Sequence, residues 1–505
     1  MCAPLRRMRT IARSAVIGHV SGAPVTPRPP PRPAPRRPRI PATPPGRTRV
    51  GRSVTPLRLT PEGRGGVLHV PDPQTSGGGP YMRDDHVKGP TFAALRPCKP
   101  ETDPSGFPVY PDLVERLADA KHQPDPDGVL PHVMATCSAY AYAGFQQRGD
   151  PETLAMIMTR LGLDENDTRV FEQRVDALYI ASAAYLIQDK DRRVAILCYR
   201  GTQPEDIISI LTDADVRPEM LAVELEGRRH EVHAGFYRNV RATRHLVIEA
   251  LERALRGESV NAEEHGTKGD GLEALYLTGH SLGAAMAAIM AITLVHEPRY
   301  RHIAERLKGV YTFGQPMVGG PDLARACEEA PGPHDTHVLR DRLIRYIFDR
   351  DVVPALPPRP VGPYAPFGRE FHYRRPRGLT DAALTFAADS AIEALTLPGD
   401  VARTAAGRDW EGLAVRCTDG VRRAVRPLLR PRTPGWTEVT EPGLHYPQMD
   451  SLAGLAVVAP LAFFATRLAL TRTIPFKYSF DDHGPGHYVN SLAPPGVLSE
   501  FGDVL

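Results

Sequence analysis

Apolar residues recur with two different spacings along the chain, beginning at about Pro111. A spacing of three to four residues predicts helices, and it is found in "LPHVMATCSAYAYAGF", "PETLAMIMTRLG", "PEDIISILTDADV", "VRATRHLVIEALERALRG" and the segment around "PDLARACEEA". Short runs rich in apolar and β-branched residues predict strands, and these are "ALYIASAAYLIQ", "RVAILCYRG", "HEVHAGF", "ALYLTG", "KGVYTFGQP" and "LIRYIFDRDVVP".

The order of these elements predicts the fold class. The first two strands are separated only by the charged turn "DKDRR", which is typical of a hairpin. The later strands alternate with helices, and this alternation predicts an α/β fold with a mainly parallel central sheet flanked by helices. Ligands of such sheets bind at the carboxyl ends of the strands. We therefore predict one α/β domain over residues 109–498, with its site at that edge of the sheet.

A tail rich in proline and arginine precedes this domain. The chain has 505 residues and a net charge of +3, but residues 1–64 hold fourteen Arg and one acid, Glu62. That segment therefore carries +13, which leaves −10 on the remainder. Its run "TPRPPPRPAPRRPRIPATPPGR" has too little apolar surface to offset the entropy of ordering. We predict that residues 1–108 are a disordered tail and linker. The alternative is a basic arm for a membrane surface or nucleic acid, although no nucleic-acid partner is expected.

The cysteines and the N-terminus bear on the cellular location. The six cysteines show no paired spacing, which fits neither a disulfide framework nor a zinc site. Near the N-terminus, "TIARSAVIGHVSGA" is a weak export signal because Arg13 and His19 interrupt its apolar run. The sequence therefore predicts reduced thiols and a cytoplasmic protein.

A serine between two glycines marks the junction of a predicted strand and a predicted helix. In "LYLTGHSLGAAMAAIMA", Ser281 is flanked by Gly279 and Gly283. A nucleophile elbow needs this arrangement, since the strained turn that exposes the serine hydroxyl leaves no room for neighbouring side chains. Four alanines after Ser281 would let the helix lie close to the sheet. The alternative is a glycine-rich turn with a structural serine.

A nucleophilic serine requires a base and an orienting acid, and both are expected later in the chain. Asp351 follows the apolar strand "LIRYIF", and Asp349 is its near competitor. Near the C-terminus, "SFDDHGPGHYVNSL" offers His483 and His487 as bases. A neutral imidazole can take the serine proton and return it to the leaving group.

Five separated motifs, taken together, resemble the class 3 lipases, the fungal-lipase-like branch of the α/β-hydrolases. They are "CYRGT", "VHAGF", "GHSLGAAMA", "YTFGQPMVG" and "DRDVVPALPP" followed by "DDHGPGHY", and they extend over roughly residues 130–492. The resemblance implies a serine hydrolase that cleaves carboxyl esters of lipids, an acylglycerol lipase, without a metal or cofactor. A small-ester esterase and a phospholipase are the enzymatic alternatives, and a catalytically inactive lipase-like scaffold is the alternative of another class.

The resemblance also implies roles for individual residues. Thr202 would supply an oxyanion-hole N–H and a hydroxyl, and Leu282 the second N–H. The acid falls on Asp351, and the base on His483 because the histidine of the family stands five residues before a tyrosine, here Tyr488. The segment after "YRGT" would be the lid, with an apolar face made of Ile207, Ile208, Ile210 and Leu211. Ordinary core packing is the alternative for these four residues.

The sequence departs from the family in one place. A long insertion, residues 369–478, separates Asp351 from His483 and contains the uncharged apolar run Ser451–Thr466 together with several arginines. Sixteen residues with a central proline are too few for a spanning helix. An apolar segment beside basic residues suits an anionic lipid surface. We therefore expect peripheral contact with membranes or lipid droplets, with core packing as the alternative.

Overall fold

The computed structural model describes most of the region that was predicted to be globular. The described residues are 81–95, 107–119, 128–144, 149–175, 180–202, 218–261, 268–329, 339–375, 435–440, 448–449 and 481–500.

A mixed, mainly parallel sheet runs through the domain. Its strands are β1 (Tyr81–Lys88), β2 (Asp167–Val175), β3 (Ile180–Gln188), β4 (Val194–Tyr199), β7 (Ala274–His280), β8 (Leu307–Phe313), β9 (Leu343–Phe348), β10 (Arg369–Arg374) and β11 (Gly435–Val439), adjacent in that order. The central pairs from β4 to β10 are parallel. The pairs at both ends are antiparallel. A separate antiparallel hairpin is formed by β5 (Glu219–Leu225) and β6 (Arg228–Val232). The predicted α/β fold class is confirmed.

Eight α-helices accompany the strands in the described residues. They are α1 (Leu113–Asp119), α2 (Val129–Tyr140), α3 (Pro151–Leu161), α4 (Ala234–Leu255), α5 (Leu282–His296), α6 (Arg301–Ala304), α7 (Pro321–Glu329) and α8 (Pro485–Leu492). Pro151 stands at the start of α3 behind Asp150, whose carboxylate caps the helix by accepting from the N–H of Thr153. The hairpin predicted across "DKDRR" is the antiparallel pair β3–β4.

Two buried clusters cover the two faces of the sheet. Successive side chains of a strand point to opposite faces, so β7 sends Leu275 and Leu277 to one cluster and Ala274 and Tyr276 to the other. The first cluster also contains residues of α4, α5 and the β5–β6 hairpin, and the second contains residues of α1, α2, α3 and α8. The near-continuous apolar character of the central strands follows from this burial on both faces.

The prediction of linker up to residue 108 is wrong for the segment that forms β1. Residues 81–88 pair with β2 over their whole length. The sequence "YMRDDHVK" lacks the apolar pattern of a strand because β1 lies beside a single partner, and charged side chains are common on such edges. One of these charges, Asp84, pairs with Arg169 of β2.

Two further boundaries differ from the sequence prediction. The strand predicted over "HEVHAGF" ends at Val232, and α4 begins at Ala234. His233 between them is the extended N-cap residue of the helix, and Phe236 packs into the core as a helical residue. Strands β10 and β11 fall inside the range predicted as an insertion, yet both extend the central sheet. Most of the range predicted as an insertion, including residues 376–434 and 450–478, lies outside the described residues.

The candidate lid and the apolar run of the insertion are also outside the described residues. This applies to Ile207, Ile208, Ile210 and Leu211 and to the range 451–466, so their roles stay predictions. Among the described helices, none combines the length and the apolar character that crossing a membrane requires.

Candidate active site

Ser281 occupies the turn between β7 and α5. Its backbone has φ 61° and ψ −128°, a region that costs energy for a residue with a side chain. The turn is held because the N–H of Ser281 donates to the carbonyl of Phe313, at the end of β8, over 2.9 Å. A strained serine at a strand-to-helix junction is the geometry of a nucleophile elbow.

The two glycines around Ser281 are required by close packing. A Cβ atom on Gly279 would lie 2.4 Å from the carbonyl carbon of Gly283, and one on Gly283 would lie 2.0 Å from the carbonyl oxygen of Tyr199. No real Cβ atom approaches backbone so closely. The elbow therefore depends on glycine at both positions.

Asp351 and His483 meet although 131 residues separate them in the sequence. The Nδ1 atom of His483 lies 2.8 Å from Oδ2 of Asp351, and both side chains are buried. Asp351 follows β9 at the carboxyl edge of the sheet, and its Oδ1 accepts from the N–H of Val353. Because a carboxylate only accepts, Nδ1 of His483 carries the proton and Nε2 is left with its lone pair.

Tyr488 holds the acid from the other side. Its hydroxyl accepts from the N–H of Phe348 over 3.2 Å and donates to Oδ2 of Asp351. Oδ2 thus has two donors, and the carboxylate is fixed in one orientation. In the sequence Tyr488 served only as a spacing marker for the base, and nothing in the sequence predicted its hydrogen bond.

Contacts on both sides of His483 bring it to the elbow. His280 is the residue before Ser281, and its ring centroid lies 4.4 Å from the ring centroid of His483. Nε2 of His280 is 2.7 Å from the carbonyl oxygen of His483. A Cβ atom on Gly314 would be 2.8 Å from Nδ1 of His483. Gly314 follows β8 with φ 58°, so glycine relieves both the crowding and the backbone strain.

The predicted oxyanion residues lie at the same edge of the sheet. Thr202 follows β4 and is 8% exposed, and a Cβ atom on its neighbour Gly201 would be 2.7 Å from the carbonyl oxygen of His280. Leu282 is the first residue of α5, where backbone N–H groups have no intrahelical acceptor and the helix dipole is positive.

Three side-chain atoms of this site are buried and have no hydrogen-bond partner among the described residues. They are Oγ of Ser281, Nε2 of His483 and Oγ1 of Thr202. A buried polar atom without a partner costs about 1–3 kcal/mol. The other polar atoms of Asp351 and His483 that we describe are satisfied, so within this pair the atom without a partner is Nε2 of the base.

The competing candidates lie elsewhere around the base. The carboxylate that contacts His483 belongs to Asp351, whereas Asp349 lies in the turn after β9 with φ 39°. His487 stacks on Phe348, with ring centroids 5.1 Å apart. Asp482 precedes the base, and its pKa is raised to about 6 by burial, with smaller contributions from the nearby carboxylates.

Residues 196–361 match the sequence profile of the family Lipase (class 3). The match covers about a third of the chain. The resemblance predicted from the motifs is confirmed, and the matched segment includes Thr202, Ser281 and Asp351 but ends before His483.

Individual relatives are similar over shorter lengths. Triacylglycerol lipase OBL1 of Ricinus communis is 27% identical over 197 residues, which is 33% of this chain and 35% of the relative. Triacylglycerol lipase OBL1 of Nicotiana tabacum is 40% identical over 82 residues, 16% of this chain and 13% of the relative. The chain thus spans about a third or less of these relatives. Lipase II from Rhizopus niveus, a solved structure, is 21% identical with a TM-score of 0.35, and the match covers 48% of this chain and 78% of that one.

Proposed function

We propose that this protein is a serine hydrolase that cleaves the carboxyl esters of lipids, as an acylglycerol lipase. The observation that carries the proposal is the set of three unpartnered atoms, Oγ of Ser281, Nε2 of His483 and Oγ1 of Thr202. A nucleophile, a base and an oxyanion donor are the groups that acyl transfer requires.

The reaction then proceeds in two halves. Oγ of Ser281 attacks the ester carbonyl carbon while its proton passes to Nε2 of His483, and the carbonyl oxygen becomes an oxyanion. The N–H groups of Thr202 and Leu282 and the Thr202 hydroxyl stabilise that charge. His483 protonates the departing alcohol, which leaves an acyl-enzyme. Water, deprotonated by His483, attacks the acyl-enzyme, releases the acid and restores Ser281. Asp351 keeps the proton on Nδ1 and stabilises the imidazolium.

The competing class of function is an inactive scaffold. Such a scaffold has no use for a strained serine, a buried His–Asp pair and an unpartnered threonine hydroxyl at one edge of the sheet. The names of the two plant relatives, both triacylglycerol lipases, support a lipid ester as the substrate. As part of the same function, we propose that the protein is cytoplasmic. We also propose that it makes peripheral contact with a membrane or lipid droplet.

A chain-length series distinguishes a lipase from its enzymatic alternatives. Nitrophenyl esters of increasing acyl length are hydrolysed below and above the concentration at which they form micelles, with Ser281→Ala as the background. A lipase gives higher rates on long chains and a rise in rate above micelle formation. Hydrolysis restricted to short, dissolved esters would instead identify an esterase. Faster release of fatty acid from phospholipid vesicles than from triacylglycerol emulsions would identify a phospholipase.

Thr202→Ala tests the oxyanion hole. The variant keeps the backbone N–H and loses the hydroxyl, whose oxygen is buried without a partner. Removing one donor typically lowers kcat by about 10²–10³-fold, and we expect the lower end of that range or less because the N–H remains. Thr202→Ser keeps the hydroxyl and is the matched control, with kcat close to that of the unchanged protein. An unchanged kcat in Thr202→Ala at equal Tm would remove the hydroxyl from the mechanism.

A further inference from the structure

Two residues outside the proposed triad connect the base to the oxyanion loop. Tyr142 follows α2, and His280 precedes the nucleophile at the end of β7. The hydroxyl oxygen of Tyr142 is 3.0 Å from Nδ1 of His280, and Nε2 of His280 is 2.7 Å from the backbone carbonyl oxygen of His483. Each ring nitrogen of His280 therefore has a partner.

The chemistry of these groups fixes the direction of each hydrogen bond. The carbonyl of His483 can only accept, so Nε2 of His280 carries the ring proton. Nδ1 of the neutral ring is then an acceptor, and the Tyr142 hydroxyl donates to it. The same hydroxyl lies 3.4 Å from the carbonyl oxygen of His280, a longer and weaker alternative.

The phenol oxygen also receives a hydrogen bond from the oxyanion loop. The backbone N–H of Gly201, which precedes Thr202, donates to it. The contact is tight, since a Cβ atom on Gly201 would lie 2.0 Å from the Tyr142 oxygen. Gly201, Tyr142, His280 and His483 thus form one chain of hydrogen bonds with a single direction, from an N–H at the loop to a carbonyl at the base.

Tyr142 and His280, the two side chains in the middle of this chain of hydrogen bonds, stay uncharged. Burial first, and then the charge of the neighbouring His483, hold the pKa of His280 well below its ordinary value. Burial likewise raises the pKa of Tyr142. When His483 takes the serine proton, the neighbouring ring of His280 therefore places no second positive charge beside it.

We propose that Tyr142 and His280 are positioning residues, which hold the base His483 and the oxyanion loop Gly201–Thr202 in their reactive arrangement through this chain of hydrogen bonds. Neither residue touches the reacting atoms. The inference rests on the proposed function, because it assigns the two residues a part in the same reaction. A displacement of about 1 Å in such an arrangement can lower a rate by about 10²-fold.

The test measures Tm, kcat, KM and the rate of fluorophosphonate labelling in the full chain. Tyr142→Phe removes only the hydroxyl, and we expect about a tenfold lower kcat and labelling rate with little change in KM. His280→Leu removes the donor to His483, and we expect about a 10²-fold loss. His280→Gln retains an N–H donor of similar reach and should recover most of that loss.

A second tyrosine–histidine hydrogen bond in the protein provides a matched control for the loss of the Tyr142 hydroxyl. The hydroxyl of Tyr110 lies 2.8 Å from Nδ1 of His132, which makes a tyrosine–histidine pair of the same kind. His132 lies near the start of α2, whereas Tyr142 follows the end of that helix. Tyr110→Phe should lower Tm without changing kcat or labelling. Unchanged kcat and labelling in both Tyr142→Phe and His280→Leu would overturn the proposal, as would equal losses in Tyr142→Phe and Tyr110→Phe. If the unchanged protein neither labels nor hydrolyses esters, the proposed function fails instead.

Discussion

Ser281→Ala abolishes both fluorophosphonate labelling and ester hydrolysis. The strained backbone at the β7–α5 junction presents the Ser281 oxygen, and that oxygen is buried without a hydrogen-bond partner. In a well-studied serine protease, loss of the nucleophile lowers kcat by about 10⁶-fold, and we expect a loss of roughly that order. Alanine also removes a buried unsatisfied hydroxyl, so Tm should be equal or higher. Stopped hydrolysis with an unchanged or raised Tm would identify the nucleophile.

A second serine provides the control for this experiment. Ser138 lies in α2, is buried, and donates to the carbonyl of Ala135 over 2.9 Å. Ser138→Ala should keep full labelling and turnover. If Ser281→Ala turns over esters at the normal rate, Ser281 is not the nucleophile.

His483→Ala loses nearly all activity, whereas His487→Ala keeps most of it. His483 is hydrogen-bonded to Asp351 through Nδ1 and has an unpartnered Nε2, which is the arrangement of a general base. Without it the Ser281 proton has no acceptor, and the loss should approach that of Ser281→Ala. His487 stacks on Phe348, so its removal should mainly affect stability.

The two histidine variants control for each other, because both lie in the same short segment before and within α8. Activity is measured with a soluble nitrophenyl ester, and folding with Tm. The reverse order of activities, with His487→Ala as the inactive variant, would make His487 the base and would contradict the proposed triad.

The elbow is the part of the site that the sequence predicted in most detail. Gly279, Ser281 and Gly283 could be recognised because an apolar strand, a sharp turn and a helix of small residues are consecutive in the chain. The close contacts of both glycines follow from the same local geometry. The α/β fold class could be predicted for a similar reason, since the buried central strands are apolar along their whole length.

The edges of the sheet were harder to recognise. Strand β1 is charged, and β2 carries buried charges that have partners, such as Arg169 with Asp84 and Glu172 with Arg200. Partners on distant parts of the chain make a polar segment compatible with a strand, and this pairing has no local signature. Strands β10 and β11 lie on either side of residues 376–434 and were difficult to recognise for the same reason, since Arg369 of β10 pairs with Glu438 of β11.

The sequence by itself determined the fold class, the elbow and the order in which serine, acid and base follow one another. Only the tertiary structure showed that Asp351 and not Asp349 reaches His483, that Tyr488 holds the acid, and that Tyr142 and His280 connect the base to Gly201. The physical reason is the range of the interactions. Periodicity and turn strain act over a few residues and leave a pattern in the sequence. Hydrogen bonds between residues more than a hundred positions apart leave no such pattern, because they depend on how the sheet brings its strand ends together.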